Sequence, residues 1–201
     1  MSSQADLKLV LLGHKNVGKT SIFNRYLYDE FGKTSMTIGA YFGMKACRVH
    51  NKPCNLAIWD TAGEEKFDSL TSFYCRNARA ALVCYDITSY ESFKRLDKWI
   101  SKVEVEAEPG CCIVIVGNKL DIVEQNPALR QVDFSEAKRY AASVNAEVIE
   151  VSAKTGAQVN KAFARVVELC MQNAEPTPAN NPSLDLNQQK QDSKTSSNPC
   201  C

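Results

Sequence analysis

Short apolar runs rich in β-branched residues alternate along this chain with stretches whose apolar positions recur every three to four residues. Runs at 7–12, 41–50, 54–60, 80–86, 111–117 and 146–151 read as strands. Between the later runs lie helical patterns. Phe93, Leu96, Ile100 and Val103 share a face in 91–106, as do Ala137, Tyr140, Ala141 and Val144 in 134–144. In 157–172 the stripe is Val159, Phe163, Val166, Val167 and Cys170. Thr88 with Glu91, and Asp133 with Glu136, stand at capping-box spacing and predict two helix starts. Ala80–Tyr85 and Cys112–Val116 are apolar throughout, which suits parallel strands covered on both faces. The runs 41–50 and 54–60 are joined through Asn51-Lys52-Pro53, short enough for an antiparallel hairpin. The expected fold is α/β: a three-layer domain around a mostly parallel six-stranded sheet with one antiparallel strand.

Polar composition sets the domain limit. Residues 1–173 are expected to form the domain, and 174–201 a disordered tail. From Ala174 the chain continues Glu-Pro-Thr-Pro-Ala-Asn-Asn-Pro-Ser, too polar to bury an ordered core. A formal net charge of +1 gives no reason to expect a nucleic-acid partner. Nine cysteines in 201 residues are too sparse for a secreted disulfide scaffold, and most sit in apolar runs as reduced core thiols of a cytosolic protein. No C-x-x-C pair suggests zinc or redox chemistry. The polar start Met1–Asp6 has no signal-peptide core, and no apolar run reaches membrane-spanning length.

The chemistry begins at Gly13-His14-Lys15-Asn16-Val17-Gly18-Lys19-Thr20, which reads G-x-x-x-x-G-K-T directly after the run 7–12. A strand, a glycine loop and a helix in that order make a phosphate cradle. Backbone N–H groups from Asn16 to Ser21 wrap phosphates, Lys19 reaches the β- and γ-phosphates, and the Thr20 hydroxyl ligates Mg²⁺. Trp59-Asp60-Thr61-Ala62-Gly63 ends a strand, placing Asp60 to hold Mg²⁺ through water and Gly63 to let backbone approach a γ-phosphate. Asn118-Lys119-Leu120-Asp121 follows another strand. Asp121 can accept from guanine N1–H and the 2-amino group, donors that adenine lacks, while the Lys119 stem lies along the base and Asn118 ties loops together. Ser152-Ala153-Lys154 follows the last strand and can present the Ala153 N–H to the guanine carbonyl.

In this order these motifs resemble the Ras superfamily of small GTPases, specifically the Rab family. The resemblance covers about 7–172 and includes Thr37-Ile38-Gly39 and the terminal Cys200-Cys201. It implies a GTP/GDP switch in membrane trafficking with Mg²⁺ on Thr20, Thr37 and Asp60. It further implies that Thr37 binds the metal only in the GTP state and that Phe31 packs edge-on against guanine. Ile38–Phe42 and Glu65–Tyr74 become the two switches, open to effectors, an exchange factor and an activating protein. Cys200 and Cys201 look like the double-cysteine end that Rab proteins have geranylgeranylated, which implies an escort for the prenylated chain. The tail carries two lysines against three acids, so it adds no polybasic attraction, and it spans on the order of 30 Å as a coil. The implied location is the cytoplasmic face of endosomal or autophagic membranes, with a cytosolic pool.

Two positions depart from that family. Glu64 stands where the family has the glutamine that orients the attacking water, and Lys15 occupies a loop position where it prefers a small residue. Glu64, Lys19 and Gly63 are the candidate catalytic residues. An ionised carboxylate accepts hydrogen bonds but donates none, and phosphate repels it. Lys15 is expected either to pair with Glu64 or to point into solvent. These substitutions resemble the atypical Rab subgroup with a replaced catalytic glutamine; slow hydrolysis is the expectation, but a well-positioned Glu64 can instead serve as a base, so residue type alone leaves the sign of the rate change open. The rival reading is a GTP-loaded membrane adaptor with negligible turnover. A P-loop small-molecule kinase would need ATP preference, against Asn118–Asp121. His14, His50 and Trp99 are read as outside the chemistry, Trp99 as a partly buried packing residue.

Overall fold

The computed structural model describes residues 6–49, 52–64 and 68–174. Six strands form one sheet in the order β2-β3-β1-β4-β5-β6. They are β1 (Leu7–Gly13), β2 (Ala40–Val49), β3 (Lys52–Thr61), β4 (Ala80–Asp86), β5 (Cys112–Asn118) and β6 (Glu147–Glu150). Only β2 with β3 is antiparallel, Cys47 facing Cys54; the pairs β1–β3, β1–β4, β4–β5 and β5–β6 are parallel.

Successive side chains of a strand point to opposite faces. Leu7, Leu9 and Leu11 of β1 therefore join Ala80, Leu82 and Cys84 of β4 in one core. That core packs under α1 (Lys19–Tyr28) and α7 (Val159–Ala174), through Phe23, Tyr26, Phe163 and Val166. Val10, Leu12, Ala81, Val83 and Tyr85 point the other way, toward α2 (Asp68–Cys75), α3 (Tyr90–Lys94), α4 (Leu96–Glu106), α5 (Leu120–Gln125) and α6 (Phe134–Ser143). Two buried faces explain why the central strands are almost continuously apolar, with Lys8 in β1 and Asp86 at the tip of β4 as exceptions. β1 adjoins β3 on one side and β4 on the other. The loop after β1 thus opens where the connections diverge, the usual ligand crevice of such sheets.

Some local expectations needed correction. The stretch 91–106 is two helices, because the chain turns at Arg95 (φ −85°, ψ 0°). The first piece is pinned to β4 through Ser92 Oγ, which accepts from the Asp86 N–H at 3.0 Å. Its N-cap is Ser89, whose side chain accepts from the Ser92 N–H, whereas Thr88 donates its hydroxyl to Asp86 at 2.7 Å. Asp133 does stand at the N-cap of α6, but its side chain accepts no capping bond. Trp99 is 1% exposed, fully buried in the core under α4. The antiparallel strand begins at Lys52 and so absorbs two residues of the expected linker. α7 ends at Ala174, and the remaining tail, Cys200 and Cys201 included, lies outside the described residues, as does His50.

Candidate functional site

The phosphate loop is built by close backbone approach. Gly13 has φ +141°, and a Cβ there would lie 2.2 Å from the Cys84 carbonyl oxygen. Only glycine lets β1 pass β4 at that point and turn out of the sheet. Lys19 is buried and donates to the carbonyls of Gly13 at 2.8 Å and His14 at 3.1 Å. Burial lowers its pKa, with the Asp60 charge opposing that shift. Val17 is buried, while Asn16 holds φ 63° in the exposed turn. Ser21 follows Thr20 in the first turn of α1.

Three oxygen-bearing side chains from separate segments meet beside Lys19. Thr20 Oγ1 donates to Asp60 Oδ2 at 2.7 Å, and the Thr20 and Thr37 hydroxyls lie 3.0 Å apart. Asp60 is fully buried, and its Oδ1 has no hydrogen-bond partner among the described residues. Burial pushes its carboxyl up to about 6, partly offset by the Thr20 bond and by Lys19. A buried carboxylate oxygen without a donor, beside two hydroxyls, is a hard oxygen set that fits Mg²⁺. Gly63 follows at close quarters: a Cβ on it would lie 2.4 Å from Lys19 Nζ and 2.7 Å from the Lys15 nitrogen. The backbone after β3 therefore lies against the phosphate loop. The Ala62 N–H donates to the Gly39 carbonyl at 2.9 Å, joining the first of the two expected switches to the segment just before the second. Within the second of them, residues 65–67 lie outside the described residues.

The residues expected to read the base meet at the tips of β5 and β6. Asn118 Nδ2 donates to the Val17 carbonyl at 2.9 Å, and Asn118 Oδ1 accepts from the Ala153 N–H at 3.1 Å. One side chain thus ties the phosphate loop to both base loops and orients the very N–H expected to meet guanine. Asp121 is buried, accepts from Ser152 Oγ at 2.6 Å and lies 3.8 Å from Lys154 Nζ. Lys119 holds φ 73° and donates its ammonium to Asp86 Oδ2 at 2.5 Å. Phe31 is not drawn onto this set: it is 48% exposed and lines a surface cleft with Asn24, Glu30, Gly32 and Lys33.

Lys15 and Glu64 do face each other, Nζ to Oε1 at 3.9 Å, with side chains 53% and 21% exposed. That is a solvent-screened contact rather than a tight pair, of modest energetic weight by itself.

Sequence reasoning missed three contributors. Asp86 anchors Lys119 and had a signal, an acid at the end of an apolar strand, the same one that marked Asp60. Arg25 of α1 had none. It donates Nε to the Ala153 carbonyl at 2.9 Å and Nη2 to the Lys154 carbonyl at 2.8 Å, across 128 and 129 residues. Arg25→Ala should speed dissociation of a fluorescent guanine nucleotide about tenfold while leaving guanine preference intact, because it loosens the loop without touching Asp121. Unchanged dissociation would show that the loop needs no brace. The third is an aromatic ribbon. The Trp59 ring centre lies 4.9 Å from that of Phe42 and 5.1 Å from that of Tyr74, bridging both switches.

A glycine loop closed on a buried lysine, with an oxygen trio on one side and an Asn–Asp–Ala set on the other, defines a P-loop nucleotide-binding protein. The sequence model described as "Ras family" matches residues 8–172. The chain is 41% identical over 167 residues to a putative ras-related protein Rab-5B of Dictyostelium discoideum, covering 83% of this chain and 76% of the relative. It is 39% identical over 197 residues to ras-related protein Rab5A of Oryza sativa subsp. japonica, covering 96% and 94%. It is 39% identical over 202 residues to ras-related protein Rab-24 of Dictyostelium discoideum, covering 99% and 98%. The chain belongs to the Rab family of the Ras small GTPases. GTP and GDP binding with Mg²⁺, and GTP hydrolysis, are the general activity of that family.

Proposed function

We propose that this chain is a slow GTP-hydrolysing switch that recruits effectors to an endosomal or autophagic membrane, held there by lipid on Cys200 and Cys201. The observation that carries the switch reading is the meeting of Thr20, Thr37 and Asp60, which links the nucleotide's phosphate end to the segment an effector would read. Bound Mg²⁺ would neutralise charge on the phosphate oxygens. Thr20, Thr37 and Asp60 would hold it, and Lys19 would bind the terminal phosphates from inside the loop. Asp121, held by Ser152, would select guanine. An exposed apolar patch of Ile38, Tyr41, Phe42, Met44, Leu70 and Phe73 flanks the aromatic ribbon and suits effectors with apolar contact faces.

Glu64 would decide the rate. Its carboxylate, 3.9 Å from Lys15, would accept a proton from water, yet it offers no donor to phosphate. The test is single-turnover hydrolysis of bound GTP by the Mg²⁺-loaded protein. Decay several-fold to a hundredfold slower than in an otherwise matched Glu64→Gln variant is expected. Rates for Glu64→Gln, Lys15→Ser and the double variant should be non-additive, with Lys15→Ser altering the wild type more than it alters Glu64→Gln. Additive effects would mean that the two side chains act separately. GTP that persists unhydrolysed for many hours would instead favour the GTP-loaded adaptor.

A further inference from the structure

At the end of the sheet opposite the phosphate loop, two cysteines are held together by contacts that the nucleotide site does not use. Cys112 opens β5, and Cys170 lies in the penultimate turn of α7. The carbonyl of Arg79 accepts from the Cys112 N–H at 2.9 Å and from the Cys170 thiol at 3.0 Å, so one oxygen anchors both residues. Asn173, one turn beyond Cys170, donates Nδ2 to Cys112 Sγ at 3.3 Å. Both side chains are largely buried, Cys112 at 7% and Cys170 at 3% exposed, but a cavity reaches them. Both line a surface cavity of about 210 Å³ with Arg79, Glu108 and Asn173. It shares Cys112 and Asn173 with a larger cleft of about 810 Å³.

We infer that Cys112 and Cys170 form a peroxide-reactive thiol pair that closes to a disulfide, fastening the end of α7 to the start of β5. The substrate class is a small hydroperoxide, with hydrogen peroxide the simplest member. The Cys112 thiolate attacks one peroxide oxygen, the O–O bond breaks, and hydroxide leaves and takes a proton to become water. The sulfenic acid so formed is attacked by the Cys170 sulfur, which gives up its proton as the S–S bond forms and a second water leaves. Two thiols and one peroxide become one disulfide and two waters, and a dithiol reductant reverses the exchange.

The surroundings divide the roles. Hydrogen bonding from Cys170, then from the Asn173 amide, together with the Arg79 charge, outweighs burial and brings the Cys112 thiol down to about 7. A low-lying, partly accessible thiol is the nucleophile of choice. Cys170 is held upward by the same hydrogen bond and by burial, which suits the resolving partner. Four other described thiols are poorly disposed. Burial pushes Cys84 and Cys111 up to about 12 and Cys75 and Cys54 up to about 11. Cys47 and Cys54, directly opposed across the hairpin, are the competing pair.

The test treats the full chain, loaded with GDP and Mg²⁺, with graded hydrogen peroxide, then alkylates it and maps tryptic peptides. The expected product joins peptides 103–119 and 166–190 and is two hydrogens lighter than the reduced pair. It should form at least tenfold faster than Cys84 or Cys75 is modified, and dithiothreitol should reverse it. Cys170→Ser should leave a dimedone-reactive sulfenic acid at Cys112, and Cys111→Ser should cross-link like the wild type. Asn173→Ala, which keeps both thiols, should slow the reaction three- to tenfold and serves should Cys170→Ser fail to fold. The inference is overturned if Cys112 and Cys170 stay alkylatable while Cys47 and Cys54 oxidise, if Cys111 carries the link, or if Asn173→Ala reacts at the wild-type rate.

Discussion

Asp121→Asn is expected to lower GTP affinity about a thousandfold and to raise affinity for xanthosine triphosphate. In the wild type the buried carboxylate is fixed by Ser152 Oγ at 2.6 Å and lies near Lys154, at 3.8 Å. Guanine offers it two donors, N1–H and the 2-amino group. Each charge-assisted hydrogen bond is worth about 1.5–3 kcal/mol, and each 1.4 kcal/mol is a decade. Losing the charge and turning an amide N–H₂ toward the 2-amino group forfeits most of both. Xanthine carries a carbonyl at that carbon, which the new amide can donate to. Ser152 still has an oxygen to bond, so the loop should keep its shape. Competitive displacement of a fluorescent guanine nucleotide measures the change. GTP affinity within tenfold of wild type would mean that Asp121 does not read the base.

Gly13→Ala is the second large effect, and it falls on folding. An alanine Cβ would stand 2.2 Å from the Cys84 carbonyl oxygen and 3.1 Å from its carbon, both backbone atoms of the paired strand. Those atoms belong to the centre of the sheet and cannot swing aside. The φ of +141° adds about 1–3 kcal/mol of backbone strain for any residue with a side chain. Together with the displaced strand pairing, a loss of about 4 kcal/mol is expected, a large share of the ~5–15 kcal/mol that holds a domain folded. Gly32→Ala is the control, since a Cβ there meets nothing within 4 Å and φ is not positive. It should stay within ~0.5 kcal/mol of wild type. Urea unfolding of the nucleotide-free proteins compares them. Equal midpoints for the two variants would show that the sheet yields at Gly13.

Much of the architecture follows from periodicity. A strand buried on both faces reads as a nearly continuous apolar run, so 80–86 coincides with β4 and 7–12 falls short of β1 by one residue. Helix ends were harder to place, because capping spacing is a local signal that nearby bonds can override. Ser92 and Thr88 both bond Asp86, which shifted the start of α3 to Ser89 and Tyr90. The motif residues at strand tips were legible because each function needs its own residue type in its own place: glycine for approach, lysine for phosphate, a carboxylate for guanine or magnesium.

By itself, then, the sequence determined the α/β class, the phosphate loop, the family and the candidate binding groups, since these rest on residue type and spacing along one segment. The tertiary structure decided what no spacing encodes. It brought Thr37 to Thr20, set Lys15 3.9 Å from Glu64, and gave Ala153 and Lys154 their brace in Arg25. It also hung Cys112 and Cys170 on one carbonyl at the far end of the sheet, with Asn173 on the Cys112 sulfur. Those contacts join segments tens of residues to more than a hundred apart, and only the folding of the sheet and its two helical layers makes them neighbours.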